Sequence, residues 1–129
     1  MNYQEVLVQG SKNLKNKKIK NPNLESELIL SKVLNKSREQ IILNFNSYID
    51  QKYISKFKNY LSRRDRNEPI AYILGYKYFW KYKFLVDNSV LIPRPDTELI
   101  IEESLKLIKM HKSKKILDIG TGSGCIIIS

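Results

Sequence analysis

The chain has 129 residues, an ordinary length for one domain, with 42% hydrophobic residues and a net charge of +10. No apolar run approaches the roughly 18 residues that a membrane-crossing helix needs, and residues 1–10 hold Gln4 and Glu5 rather than the apolar block of a secretory signal. One cysteine, Cys125, cannot form an internal disulfide, which fits a reducing cytoplasm, and the lack of grouped Cys or His residues argues against a structural metal.

Residues 1–75 are predicted to be all-helical. Lys12 to Lys20 is the one dense basic cluster, while the remaining lysines are scattered. The charge either attracts nucleic acid or a ribosomal partner, or reflects a composition rich in Lys, Asn and Ile together. Asn21-Pro22 predicts an N-cap followed by a first-turn proline, with Leu24, Leu28, Val33 and Leu34 as the apolar face of the helix. Ser37 to Gln40 has the spacing of a capping box, and Ile41, Ile42 and Phe45 follow it. Tyr53, Phe57, Tyr60, Leu61 and Arg64 share one helical face. Three or four helices this short form a small bundle and gain most of their stability from packing against one another. Arg63, Arg64 and Arg66 suit the negative end of a helix dipole, with contact to nucleic-acid phosphate as the alternative.

The pattern changes at Gly75. Residues 76–86 are aromatic and partly alternating, Asp87-Asn88 reads as a turn, and Val90-Leu91-Ile92 as a second strand, which together predict a β-hairpin connector over residues 76–93. Phe79, Trp80, Tyr82 and Phe84 are its expected core, with stacking on a base or an adenine ring as the alternative. Pro93-Arg94-Pro95 ends the strand. Asp96 is expected to cap the next helix, with Thr97, Ile100, Ile101, Ser104, Leu105 and Ile108 on one face and Glu98 in the first turn. Arg94 is stiffened by its two prolines. It either pairs with Glu98 or faces an active site. His111 and the basic run Lys112 to Lys115 form a loop.

Ile116-Leu117-Asp118-Ile119 then reads as a buried parallel strand feeding the glycine turn Gly120-Thr121-Gly122-Ser123-Gly124, with a helix starting near Cys125. A phosphate-binding loop would place Lys and then Ser or Thr after its glycines, but Cys125 and Ile126 stand there. The dinucleotide pattern Gly-x-Gly-x-x-Gly is not met. The pattern Asp-x-Gly-x-Gly-x-Gly, used by S-adenosylmethionine-dependent methyltransferases, is matched by residues 118–124. That cofactor carries no phosphate, and Asp118 can pair with its amino group. A tight bend capped by Asp118 is the alternative. One strand of a parallel sheet cannot bury both of its faces, so the chain reads as the front part of a longer protein, with its apolar strand prone to aggregate.

Arg63-Arg64, Glu68 to Gly75, Phe79-Trp80, Leu91 to Glu98 and Ile116 to Gly124 come in an order that closely resembles the HemK family of protein-glutamine methyltransferases. The segment Pro93-Arg94-Pro95-Asp96-Thr97-Glu98, some twenty residues before the glycine loop, is its most specific part. The resemblance implies an α + α/β architecture. An N-terminal helical bundle (1–75) helps dock the substrate, a β-hairpin connector (76–93) follows, and residues 94–129 open a doubly wound, Rossmann-like methyltransferase domain that is truncated here. It implies transfer of a methyl group from S-adenosylmethionine to the side-chain amide nitrogen of the glutamine in the Gly-Gly-Gln motif of peptide-chain release factors. Asp118, Gly120, Thr121, Gly122, Ser123 and Gly124 match the cofactor-binding positions. The family's catalytic Asn-Pro-Pro-Tyr motif and its ribose-binding acidic residue are absent from these 129 residues. The expected setting is a cytoplasmic monomer with release factors as partners. A nucleic-acid adenine methyltransferase and a basic binding module for RNA are the rival readings.

Overall fold

The computed structural model describes residues 1–111 and 115–129, which fall into two compact units, Met1–Leu74 and Gly75–Ser129. Residues 112–114 of the expected basic loop lie outside the described residues.

The first unit is helical: α1 (Tyr3–Asn16), α2 (Pro22–Leu34), α3 (Arg38–Leu43), α4 (Gln51–Asp65) and the short α5 (Ile70–Leu74). Local chemistry sets several of their ends. The predicted capping box at α3 is present: the Gln40 N–H donates to Ser37 Oγ at 3.3 Å and the Ser37 N–H to Gln40 Oε1 at 2.9 Å. A second one, Asn2 with Glu5, opens α1. Pro22 occupies the first turn of α2 as expected, but the Asn21 side chain makes no capping hydrogen bond.

The core joins residues from α1 through α4, among them Val6, Leu14, Ile29, Leu30, Ile41, Ile54, Phe57 and Leu61. Phe57 and Leu61 of the expected α4 face are buried, with Tyr53, Tyr60 and Arg64 half-buried beside them. The face expected for α2 is corrected. Ser26, Ile29, Leu30 and Val33 are its buried residues, whereas Leu24 is 38% exposed. The helix is turned so that a serine points inward, because it meets a glycine there. A Cβ placed on Gly10 of α1 would lie 2.5 Å from Ser26 Oγ and 2.7 Å from Phe57 Cζ. The bare backbone lets α1, α2 and α4 converge. Ser26 stays satisfied at this depth because its hydroxyl donates to the Leu7 carbonyl at 3.1 Å.

Three arginine–glutamate pairs brace the periphery of the unit: Arg38–Glu27, Arg63–Glu68 and Arg64–Glu25. The hydrogen bond from Arg63 holds the Glu68 carboxyl below its usual range, opposed by partial burial.

In the second unit, β1 (Tyr76–Phe79) and β2 (Tyr82–Leu85) form an antiparallel hairpin in which Phe79 pairs with Tyr82. The turn is therefore Trp80-Lys81, not Asp87-Asn88, and residues 90–92 form no strand. Asp87 instead makes a local side-chain turn, accepting the Ser89 N–H at 2.8 Å. Phe79 and Phe84 are buried edge to face, with ring centres 6.2 Å apart, while Tyr82 is 48% exposed. Pro95–Thr97 form a 3-10 turn leading into α6 (Glu98–Met110), so Asp96 lies within that turn and does not cap α6. Of the face expected for α6, Ile101 is buried, while Ile100 is 52% exposed. Ile101 packs with Phe79, Phe84 and Cys125, the first residue of α7 (Cys125–Ile128).

Residues 116–119 are not a buried strand: Ile116, Leu117 and Ile119 are 58%, 84% and 86% exposed. A parallel strand exists only by pairing, and no neighbour for it lies among the described residues. The opening strand of a doubly wound sheet is thus not formed.

Gly10→Ala gains about 1 kcal/mol of helix propensity but overpacks the crossing, which costs about 1–3 kcal/mol. The expected result is a lower urea midpoint, partly recovered by adding Ser26→Ala. The Arg63–Glu68 pair gives an acid-side signature. Because the folded Glu68 pKa is lowered, its contribution is complete above the ordinary glutamate range and is lost as pH falls through the folded value. Urea midpoints of the unaltered chain and Glu68→Gln should differ at neutral pH and converge in acid.

Candidate functional site

The glycine segment needs a backbone that L side chains resist. Gly120, Gly122 and Gly124 have φ of +77°, +56° and +76°. The Gly124 N–H donates to the Thr121 carbonyl at 2.8 Å, and the Gly124 carbonyl accepts the Ile128 N–H at 3.0 Å, so the loop closes directly into α7. Asp118 accepts a hydrogen bond from the Thr121 hydroxyl at 2.9 Å. The structure thus brings Asp118, Gly120, Thr121, Gly122, Ser123 and Gly124 into one continuous loop.

The three glycines serve different ends. A Cβ on Gly124 would meet Ile128 Cδ1 at 2.9 Å, so this position is closed by the protein's own helix. A Cβ on Gly120 or Gly122 would meet nothing within 4 Å among the described residues, so the backbone there is open toward them. Among the described residues, Ser123 Oγ is buried without a hydrogen-bond partner. Open backbone, an orphaned hydroxyl and a nearby carboxylate fit a ligand that carries polar groups and an ammonium to the loop.

Glu98 has a role that the sequence did not reveal. Its Oε1 accepts the Trp80 N–H at 2.8 Å. Trp80 sits at φ +53°, a left-handed conformation that is costly for a bulky residue and needs support from its surroundings. Two segments that carry the family resemblance, Phe79-Trp80 and Pro93 to Glu98, are therefore joined by one hydrogen bond. Because Glu98 is engaged at the hairpin tip, it does not pair with Arg94, which is exposed and has no ion-pair partner among the described residues. Arg63 and Arg64 lie in the last turn of α4, where the helix dipole favours a cation, and are also held by Glu68 and Glu25. Among the described residues no group of three His, Cys, Asp or Glu side chains is placed to hold a metal ion. No described helix is long and apolar enough to cross a membrane.

The family model of the PrmC N-terminal domain matches residues 5–75. A release factor glutamine methyltransferase of Buchnera aphidicola subsp. Baizongia pistaciae is 44% identical over 84% of this chain and 39% of its own length. The release factor glutamine methyltransferase of Haemophilus influenzae is 39% identical over 100% of this chain and 46% of its own length. A bifunctional methyltransferase of Rickettsia bellii is 36% identical over 98% of this chain and 27% of its own length. The chain thus spans less than half the length of these curated relatives.

Trp80 is the one tryptophan, so its fluorescence reads the hairpin tip directly. Glu98→Ala should shift its emission toward that of exposed indole, whereas Glu98→Gln, which keeps an acceptor oxygen, should leave it close to the original. Unchanged emission in Glu98→Ala would show that the hydrogen bond does not hold the tip.

Proposed function

This chain belongs to the release factor glutamine methyltransferase family, and on that premise we propose that it supplies the substrate-docking domain and the start of the cofactor site of such an enzyme. The substrate is the glutamine of the Gly-Gly-Gln motif of a peptide-chain release factor, and the cofactor is S-adenosylmethionine. The observation that carries this reading is the alignment with the Haemophilus enzyme over the whole chain, the glycine loop included. The open backbone at Gly120 and Gly122 supports it.

S-adenosylmethionine, when bound, supplies an electrophilic methyl group on a sulfonium centre. The residues of this chain would bind and orient it. Asp118 would accept from its amino group, and the open backbone at Gly120 and Gly122 would leave room for its methionine portion. The Ser123 hydroxyl offers a further hydrogen bond. A glutamine amide nitrogen is a poor nucleophile because its lone pair is delocalised, so it must be held in line with acceptors on its N–H groups, a positioning effect worth several kcal/mol. Those acceptors belong to the Asn-Pro-Pro-Tyr motif of the family, which these residues do not include. Methyl transfer therefore belongs to the longer enzyme, and this chain alone is inactive. The enzyme acts as a monomer in the cytoplasm, where translation terminates.

The test is transfer of labelled methyl by the longer enzyme to release factor and, separately, to DNA. Label in the Gly-Gly-Gln segment supports the reading, and label in DNA overturns it. Gly122→Val places a branched residue at φ +56°. Strain of about 1–3 kcal/mol should weaken cofactor binding at least fivefold and slow transfer with it. Unchanged cofactor affinity would overturn the loop assignment.

A further inference from the structure

The glycine loop leaves through a helix that the hairpin holds. The Gly124 N–H donates to the Thr121 carbonyl at 2.8 Å and the Gly124 carbonyl accepts the Ile128 N–H at 3.0 Å, so loop and α7 are joined through one residue's backbone. Gly124 and Cys125 are buried, and Ile126 is half-buried. Cys125 shares a cluster with Phe79, Phe84 and Ile101, and Trp80 and Ile126 pack against it. On the entry side, by contrast, Ile116, Leu117 and Ile119 are exposed. Among the described residues, the exit is thus where buried side chains fix the loop, and those side chains come from β1, β2 and α6.

One residue fastens that platform. Glu98 is the first residue of α6, and its Oε1 accepts the Trp80 N–H at 2.8 Å. Ile101, on the same helix, is buried with Phe79 and Phe84. The hairpin is therefore joined to α6 twice, by a charge-assisted hydrogen bond at its tip and by the packing of Ile101. The hydrogen bond bears on a strained residue, because Trp80 stands at φ +53°. Trp80 directly follows Phe79, which is 2% exposed. A tip that relaxes toward negative φ turns the end of β1 and shifts Phe79 within the cluster that holds Cys125. Close-packed side chains pass such a shift on rather than absorb it. A loop with three positive-φ glycines depends on outside support of this kind. Glycine loses more conformational freedom on ordering than any other residue, so a ligand binds more tightly where the loop is ordered in advance.

We infer that Glu98 is a positioning residue for the glycine loop: by bracing the Trp80 turn it holds the hairpin against α7 and keeps the loop ordered for its cofactor. The inference rests on S-adenosylmethionine being the ligand of that loop. The experiment is steady-state methyl transfer to release factor by the longer enzyme that carries these residues, with each substrate varied in turn. Glu98→Ala should raise the KM for S-adenosylmethionine about tenfold, while kcat at saturating cofactor and the KM for release factor stay within about twofold. Glu98→Gln keeps an acceptor oxygen and should stay within about threefold of the unaltered enzyme. In a Trp80→Gly background the turn takes a positive φ unaided, so adding Glu98→Ala should cost less than about twofold. Glu103→Gln, exposed on the same helix, is the control and should change nothing. Phe84→Leu trims the platform without touching Glu98 and should reproduce the selective rise, which keeps the test decisive if Glu98→Ala does not fold. An unchanged KM for S-adenosylmethionine in both Glu98→Ala and Phe84→Leu overturns the inference and leaves the cofactor reading intact. An equal loss from Glu98→Ala in both backgrounds, or a loss in Glu98→Gln as large as in Glu98→Ala, overturns the route through the Trp80 turn. A fall in kcat at saturating cofactor with the KM unchanged also overturns it, since that places Glu98 in the chemistry. An unaltered enzyme that transfers no methyl from S-adenosylmethionine overturns the cofactor reading, and this inference with it.

Discussion

The helical unit depends on one close approach. At Gly10, α1 presents bare backbone to Ser26 of α2 and Phe57 of α4, at distances that no real Cβ tolerates. Most pairs of helices keep their spacing by interlocking side chains. Here the spacing is set by the lack of one, and the buried serine keeps the junction from being purely apolar by donating to the Leu7 carbonyl. The residues around it, Val6, Ile29, Leu30 and Leu61, are almost fully buried. The path of α4 past α1 follows from this crossing.

What could be read from the sequence was what local chemistry decides. The capping box of α3 needs only Ser37 and Gln40, three residues apart. The glycine loop needs only glycines where φ must be positive, and all three take that conformation. The buried face of α2 could not be read by selecting leucines, because Ser26 faces the core only where a glycine on another helix makes room. The aromatic run at residues 76–86 contains a hairpin, but both strands, Tyr76–Phe79 and Tyr82–Leu85, lie within what reads as one strand, and residues 90–92 form none. Trp80-Lys81 carries none of the Gly, Asn or Asp residues that mark a turn, and its geometry is held by a carboxylate eighteen residues later. The apolar run at residues 116–119 has the composition of a strand but lacks the partner that would make it one. Its leucine and isoleucines remain in solvent.

The functional segments divide along the same line. The loop at residues 118–124 is a self-contained conformation, formed by its own backbone hydrogen bonds and the Asp118–Thr121 contact. Its exit helix is anchored through Cys125 to Phe79, Phe84 and Ile101. The hairpin is thus more than a linker. It grips the element that follows the loop, while Glu98 fixes its tip to the start of α6.

The pairing of arginines with glutamates has a consequence for regulation. A guanidinium stays charged at any physiological pH and is not a substrate for lysine acetylation. Acetyl groups added along Lys12 to Lys20 would erase the local surface field one charge at a time, while every arginine–glutamate bridge of the bundle remained intact. Lys32 and Lys36 are the exceptions, since their ammonium groups donate to the Leu74 carbonyl and the Tyr3 hydroxyl at 2.6 and 3.0 Å. Outside those two, the surface charge that these lysines carry can drift or be modified while the arginine–glutamate bridges stay in place.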